Sequence, residues 1–282
     1  KTELVKICSQ GFSGILVDIS GTRYELTDWK VLQTVAQVSQ WAKKRNLAFW
    51  FHTDPRQASR TLINKTGERT QNLIITRKSR DRLNKKNLNI TPVTENHFEL
   101  RYEYPRVYHS SLLQETSLCF EPAGLEKAFL FQMTNRTILK DTIRDITSVS
   151  HFFTNIAKGY AEVFGNVKVP DDEEWWVMAF PKFDTNLYDY AGRNSNDLLY
   201  EFIENLFDAC AHMDGTTWGR GGTGYLVEMG RFPVSLSLYN SFISEYGYDL
   251  REVLYGLVLN VDDGSHIYIR CNYYSLLMDT VF

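Results

Sequence analysis

The sequence predicts a mixed fold, in which an α/β part is followed by an α+β part. The first 105 residues are read as strand, strand, helix, strand, helix, strand, helix and strand, the order of an α/β domain with a mixed sheet. Farther along, apolar residues recur in steps of three and four from Leu139 to Val163, which predicts one long helix. Because so long an apolar stripe must pack on something, we expect this helix to cover a C-terminal antiparallel sheet. The expected domains are residues 1–105 and 106–282.

The first elements follow from alternation and periodicity. Apolar residues alternate with others over residues 15–19, which is typical of a strand, and Gly21-Thr22 suits a tight turn into a second strand. Residues 29–45 carry their apolar side chains on one side only and predict an amphipathic helix. The continuous apolar run 47–51 predicts a buried strand.

Another helix, strand and helix lead to the end of the first domain. Pro55 suits the first turn of a helix that ends at Thr66-Gly67. The polar segment 77–86 is expected to be helical. The strands expected in this part are 73–75, 90–93 and 97–104.

The C-terminal part is expected to contain further strands and helices. Ser195 can cap a helix that ends at Gly215. The chain is expected to close with a hairpin whose strands, 257–261 and 267–271, meet at Asp263-Gly264. The other expected elements are strands at 128–133, 175–180, 225–229 and 234–239 and a short helix at 249–255.

Composition is that of an ordinary globular protein, with 43% hydrophobic and 23% charged residues. No run approaches the ~18 apolar residues that span a bilayer, so no membrane partner is expected. The four cysteines are far apart in sequence, which argues against zinc ribbons and redox pairs and predicts buried free thiols in a reducing compartment. We therefore expect a cytoplasmic protein, and no motif calls for a cofactor.

Charge is unevenly distributed along the chain. Residues 43–86, the basic stretch, hold thirteen basic and three acidic residues, a local net charge of +10 in a chain that carries −3. Nucleic-acid backbones are dense rows of phosphate, and cations that neutralise them release counterions. The basic stretch is therefore predicted to bind the DNA or RNA backbone, in an accessory protein with no chemistry of its own. The predicted phosphate contacts are Lys43, Lys44, Arg45, Arg56, Arg60, Arg69, Arg77, Lys78, Arg80, Arg82, Lys85 and Lys86.

A second hypothesis concerns the remainder of the chain. Outside the basic stretch the net charge is −13, and the C-terminal half is rich in aromatic residues. An acidic, aromatic surface suits a protein-binding inhibitor or immunity-type module that docks on a basic partner. The basic stretch itself would equally suit an acidic protein partner, because net charge selects partners and not folds.

A third hypothesis is a metal-dependent hydrolase or oxygenase. His52-Thr53-Asp54 is an H-x-D triplet at the end of a predicted buried strand, and His97 would complete a site of two histidines and one carboxylate. Sites of α/β proteins often lie at strand ends. Against this, such a triplet arises easily by chance, and the flanking helices differ from the all-strand fold expected around such a site.

A glycine-rich segment follows Trp218. Residues 219–224 hold four glycines together with Arg220 and Thr223. The segment lacks the Lys-Ser/Thr pair of a P-loop and precedes a predicted strand rather than a helix, so it does not predict a phosphate cradle. We predict a binding loop with Trp218 and Arg220 as its contact residues.

Overall fold

In the computed structural model the chain combines helices with several sheets, and the predicted fold class, α/β plus α+β, is confirmed. The elements are numbered along the chain. The structure describes residues 2–19, 28–53, 59–73, 89–104, 107–109, 117–189, 191, 195–210, 212–218 and 232–281.

The chain divides into two units, and neither is continuous in sequence. The first unit comprises residues 1–69, 109–117 and 186–225, and the second comprises residues 70–108, 118–185 and 226–282. The expected division of the sequence at residue 105 stays a prediction.

The first unit contains a parallel sheet covered by helices. Its described helices are α1 (Thr2–Ser9), α2 (Trp29–Lys43), α3 (Ser59–Thr66) and α4 (Ser195–Ala209). Its strands β1 (Gly14–Val17), β2 (Ala48–Thr53) and β14 (Gly215–Trp218) form a sheet in the order β1-β2-β14. Both neighbours run parallel to β2, and the third strand, β14, comes from far beyond residue 105.

Strand β2 shows how the core of the first unit forms. Phe49 and Phe51 are fully buried, whereas Trp50 between them is 41% exposed. Helix α2 contributes its apolar side to the same core through Val31 and Val35. Burying a large apolar side chain contributes about 1.5–3 kcal/mol, so these few residues supply much of what holds helix and sheet together.

The second unit is built on a sheet of seven described strands. Five follow one another in the order β10-β7-β13-β3-β15, while β4 pairs with β13 and β6 with β7. Strands β7 and β13 are antiparallel over most of their length, with two irregularities in their register. These strands are β3 (Arg69–Leu73), β4 (Ile90–Pro92), β6 (Val107–His109), β7 (Ser117–Phe131), β10 (Arg144–Asp145), β13 (Trp176–Tyr188) and β15 (Phe232–Val234).

Two small sheets accompany the large one. An antiparallel sheet has the order β11-β12-β5, and its strands are β5 (His97–Glu103), β11 (Ser150–Asn155) and β12 (Tyr160–Asn166). The other has the order β16-β9-β8, with β8 (Met133–Thr134), β9 (Thr137–Ile138) and β16 (Asn260–Val261).

The long helix of the second unit is α7 (Ser265–Val281), which follows α5 (Leu236–Tyr246) and α6 (Tyr255–Val258). Helix α7 packs on the edge of the large sheet. The ring of Tyr273 lies 5.7 Å from that of Phe232 on β15, and its hydroxyl donates to the carbonyl of Pro233 at 2.7 Å. An antiparallel sheet packed by one long helix is thus present, but the helix is not the one expected.

The predicted helix over residues 139–163 is wrong. This segment holds β10, β11 and most of β12, together with short 3-10 helices at Lys140–Thr142 and Thr147–Val149. Polar side chains take the place of helical hydrogen bonds: Thr142 Oγ1 accepts from Gln132 N at 2.9 Å, and Asp145 Oδ1 accepts from Thr147 N at 2.8 Å. Hydroxyls and carboxylates near the backbone compete with a helix in this way.

Gly159 completes the explanation. It lies in the turn between β11 and β12 with a φ of 67°, a left-handed conformation that glycine adopts without strain. A glycine within an otherwise helical pattern indicated that no single helix continues through this segment. The apolar residues spaced three and four apart belong to two successive strands, which the prediction treated as one helix.

The predicted C-terminal hairpin is also wrong. Residues 267–271 belong to α7, and Val261 on β16 pairs with Ile138 on β9 instead. Asp263 and Gly264 do form a turn, but Asp263 Oδ1 accepts from Ser265 N at 2.9 Å and so starts a helix. The buried residues of α7 recur at helical spacing, a pattern that the sequence already contained: Ile269, Tyr273, Leu276 and Leu277.

Two further elements differ from expectation. Residues 236–239, expected in a strand, open α5, because Ser235 caps that helix by accepting from Leu238 N at 3.0 Å. Gly215 begins β14 rather than ending α4. A side chain at Gly215 would collide with the indole of Trp50, so only glycine permits the strands to approach here.

The cysteines form no disulfide, as expected of free thiols. Cys8, Cys119 and Cys210 are half-buried and Cys271 is exposed, so the expected full burial is wrong. No helix in the described ranges is long and apolar enough to cross a membrane.

Candidate functional site

The first basic residues of the basic stretch lie where α2 ends. Lys43 closes the helix, and the exposed Lys44 follows. Arg45 Nη1 donates to the carbonyl of Trp41 at 3.2 Å, one turn back. Cations are favoured at this end because the helix dipole makes it partly negative. Arg45 therefore stabilises the end of α2, while Lys43 and Lys44 are exposed to solvent.

Helix α3 carries the next basic residues. It is anchored by Leu62, which packs on the fully buried Tyr188. Burial, followed by the charge of Glu68, raises the pKa of Tyr188 to about 12, and the Tyr188 hydroxyl donates to Glu68 Oε2 at 3.2 Å. On the exposed side, Lys65 Nζ lies 3.8 Å from Glu201 Oε2.

The rest of the basic stretch is described only in part. Arg60 lies on α3 and the half-buried Arg69 begins β3. The other predicted contact residues lie outside the described residues: Arg56, Arg77, Lys78, Arg80, Arg82, Lys85, Lys86 and Arg220.

The parallel sheet of the first unit brings two predicted sites to one edge. Val17, the last residue of β1, pairs with Phe51, and Trp218, the last residue of β14, pairs with Thr53. The carboxyl ends of all three strands therefore meet, and they place Asp18, His52 and Trp218 at the same edge. Ligands of open α/β sheets bind beyond such edges. The H-x-D triplet and Trp218 were predicted from the sequence as two separate sites. The parallel pairing of β2 with β14 places them at the same edge of the sheet.

The predicted metal site stays a prediction, because one of its three residues, Asp54, lies outside the described part of the chain. His97 Nδ1 lies 3.1 Å from Asn166 Oδ1 at the exposed end of β5. Among the residues that the structure describes, no three His, Cys, Asp or Glu side chains are grouped so that they could hold a metal ion.

A groove of about 450 Å³ lies between β1 and α2 of the first unit. Its walls are mostly apolar, and Lys30 is its charged residue. Val17 and Ile19 place it beside the carboxyl end of β1. Its lining residues are Val17, Ile19, Lys30, Val31, Gln33, Thr34, Val35 and Val38.

A further surface of the second unit, not predicted from the sequence, is the outer face of the sheet β11-β12-β5. Alternate residues of β12 are buried beneath it, namely Ala161, Val163 and Gly165, so the residues between them face outward. We call this surface the aromatic sheet face. It consists of His151 and Phe153 on β11, Tyr160, Glu162 and Phe164 on β12, and Glu99, Arg101 and Glu103 on β5.

The side chains of the aromatic sheet face contact one another across strands. The guanidinium of Arg101 lies 3.7 Å from the centre of the Tyr160 ring, and Arg101 Nη1 lies 3.5 Å from Glu162 Oε1. The rings of His151 and Phe164 are 5.4 Å apart. Phe153 remains 47% exposed although its ring is 6.5 Å from that of Tyr160. The face can hold a cation over an aromatic ring, and Arg101 already does so.

Sequence reasoning missed this surface because it read residues 139–163 as a helix. The alternation Tyr160-Ala161-Glu162-Val163-Phe164 was the available signal, since period two is typical of a half-buried strand. The short turn at Lys158-Gly159 before it supported the same conclusion.

Comparison with known proteins adds no relative: no family model, no curated protein and no solved structure matches this chain.

Proposed function

We propose that the protein is a nucleic-acid-binding accessory protein that uses the basic stretch. The observation that carries the proposal is the local net charge of +10 within residues 43–86 of a chain whose total is −3. A phosphate backbone is the partner for which so dense a set of cations is best suited, because each neutralised phosphate releases a counterion.

The described part of the basic stretch supports this proposal. Lys43, Lys44 and Lys65 are exposed, and Arg69 is half-buried at the start of β3. Lys65 forms an ion pair with Glu201 at 3.8 Å, and both side chains are more than half exposed. An ion pair of this kind is worth little, so a phosphate can replace the carboxylate.

The test is a salt series of binding to single- and double-stranded DNA and RNA of mixed sequence. The wild type is compared with Arg77→Glu/Arg80→Glu/Lys85→Glu, in which three predicted phosphate contacts are reversed. Each contact to duplex DNA contributes about 0.9 to the slope of log affinity against log salt, so the variant should flatten this slope by about 3. Its affinity should fall alike for all sequences, because backbone contacts carry no sequence information.

The matched control is Lys6→Glu/Arg136→Glu/Lys168→Glu. It changes the net charge of the chain by the same amount, and all three residues are exposed and lie outside the basic stretch. The control should keep the wild-type salt slope. Equal losses in both variants would mean that total charge governs binding, and no binding by the wild type at low salt would exclude the proposal.

A further inference from the structure

The aromatic sheet face repeats one arrangement, an acidic side chain directly beside an aromatic ring. In the register of the sheet Tyr160 lies opposite Glu103, and Phe164 lies opposite Glu99. Cross-strand neighbours of this kind are close enough for their side chains to act on one ligand. At Tyr160 the arrangement holds the guanidinium of Arg101, which also meets the carboxylate of Glu162. A positive side chain from outside would find the same combination of ring and carboxylate at Phe164 and Glu99.

The charge of the face selects the same kind of ligand. Three carboxylates, those of Glu99, Glu103 and Glu162, stand against the single guanidinium of Arg101, an excess of two negative charges. A polyphosphate would be repelled here, whereas an Arg- or Lys-rich segment would be attracted. Within the described part of the chain Glu99 forms no ion pair, so its carboxylate needs no rearrangement before it meets a cation.

The apolar surroundings of the face suit a protein segment rather than a free cation. Three large apolar side chains on or next to β11 are about half exposed: Val149 (48%), Phe153 (47%) and Ile156 (53%). Of these, Phe153 lies on the aromatic sheet face itself, beside the charged side chains of β12 and β5. Covering an exposed ring of this kind removes apolar surface from water, which a protein segment does and an inorganic cation does not.

We infer that the aromatic sheet face binds an extended, arginine- or lysine-rich segment of a partner protein. One basic side chain lies over the Phe164 ring beside Glu99, and an apolar part of the segment covers Phe153. Cation–π contact and carboxylate pairing act together at such a position, since both favour the positive charge. This surface lies outside the basic stretch, so the inference does not depend on nucleic-acid binding.

The test uses a fluorescein-labelled twelve-residue peptide of alternating Arg and Thr, with the same peptide carrying Gln in place of Arg for comparison. Binding to the full chain is followed by fluorescence anisotropy. The wild type should bind the Arg peptide and not the Gln peptide. Glu99→Gln/Phe153→Ser should weaken binding at least tenfold, because it removes a carboxylate and an exposed ring of the face. Both positions are exposed, so the variant should keep the wild-type melting temperature.

The control is Glu204→Gln, which removes an exposed carboxylate from α4 in the other unit. It should bind the Arg peptide as the wild type does. Equal weakening by Glu204→Gln would show general attraction to an acidic protein and would overturn the inference, as would unchanged binding by Glu99→Gln/Phe153→Ser. Binding of single-stranded RNA, lost in that variant and without any binding of the peptide, would assign the rings to base stacking and would also overturn it.

The two proposals separate cleanly. Arg77→Glu/Arg80→Glu/Lys85→Glu should lose nucleic-acid affinity and keep the peptide, whereas Glu99→Gln/Phe153→Ser should do the reverse.

Discussion

At the scale of single residues, Tyr273 illustrates how one hydroxyl joins a helix to a sheet. Its ring is fully buried in α7, and its hydroxyl donates to the Pro233 carbonyl on β15. Burial raises the pKa of this phenol well above its usual value, so it remains a donor throughout the physiological range. A buried carbonyl that loses its donor is costly, because water cannot replace the hydrogen bond.

We therefore expect Tyr273→Phe to lower the free energy of unfolding by about 1–3 kcal/mol, measured by urea denaturation. The neighbouring Tyr274 is 43% exposed, and Tyr274→Phe should change the free energy of unfolding by less than about 0.5 kcal/mol. If the two variants were equally stable, the hydrogen bond to Pro233 would not contribute as described.

At the scale of elements, Lys127 on β7 links two other segments. Its ammonium lies 2.6 Å from Asp145 on β10 and 2.7 Å from Glu252 in the 3-10 helix Leu250–Val253. Burial by itself would lower the pKa of Lys127, but hydrogen bonds to the two carboxylates outweigh it and raise that pKa. Burial by itself would raise the pKa of Asp145, but hydrogen bonds from Lys127 and Thr147 outweigh it and lower that pKa below the usual value.

These directions predict how stability depends on pH. The folded pKa of Asp145 lies below the unfolded value near 3.8, so its stabilisation is present above that value and is lost as pH falls through the folded pKa. The folded pKa of Lys127 lies above 10.5, so its stabilisation is present below 10.5 and is lost as pH rises through the folded pKa. Between these limits the link between β7 and β10 is intact.

Asp145→Asn should therefore lower the free energy of unfolding at pH 7 by no more than about 1 kcal/mol, because the pair is partly exposed and screened by solvent. The difference from the wild type should shrink as the pH falls below 4, as measured by urea denaturation at each pH. Asp141→Asn changes an exposed residue nearby and serves as the control. A difference that stayed constant down to pH 2 would contradict the assignment.

At the scale of the whole molecule, each unit has a core of its own. Phe51 is fully buried among α2 and β2 in the first unit, and Phe98 is buried beneath β12 in the second. Separate cores permit local opening with different free energies, which amide hydrogen exchange measures.

A conservative core change in one unit should act mainly on that unit. Phe51→Leu and Phe98→Leu each alter side-chain shape at a cost of order 1 kcal/mol. We expect Phe51→Leu to accelerate amide exchange in β1 and β2 more than in β12, and Phe98→Leu to do the opposite. Equal acceleration in both units by either variant would show that they unfold as one.

Charge is also organised at this scale. The basic stretch and the aromatic sheet face have opposite charge, in a chain whose net charge is only −3. The small net charge of the chain therefore combines one basic and one acidic surface. The two proposals assign a nucleic acid to the basic stretch and a basic protein segment to the aromatic sheet face.

The sequence by itself determined the local features: the amphipathic helix α2, the buried strand β2, the presence of helix α4 and the uneven charge. Each depends on residues close together in the chain, whose period or charge can be read directly. Only the tertiary structure decided where β14 joins β2, that residues 150–166 form two strands of an exposed face, and that Val261 pairs with Ile138 rather than with its own neighbours. Those outcomes depend on hydrogen-bond partners far away in sequence. Apolar residues spaced three or four apart can belong to one helix or to two successive strands, and only the pairing with another strand distinguishes the two.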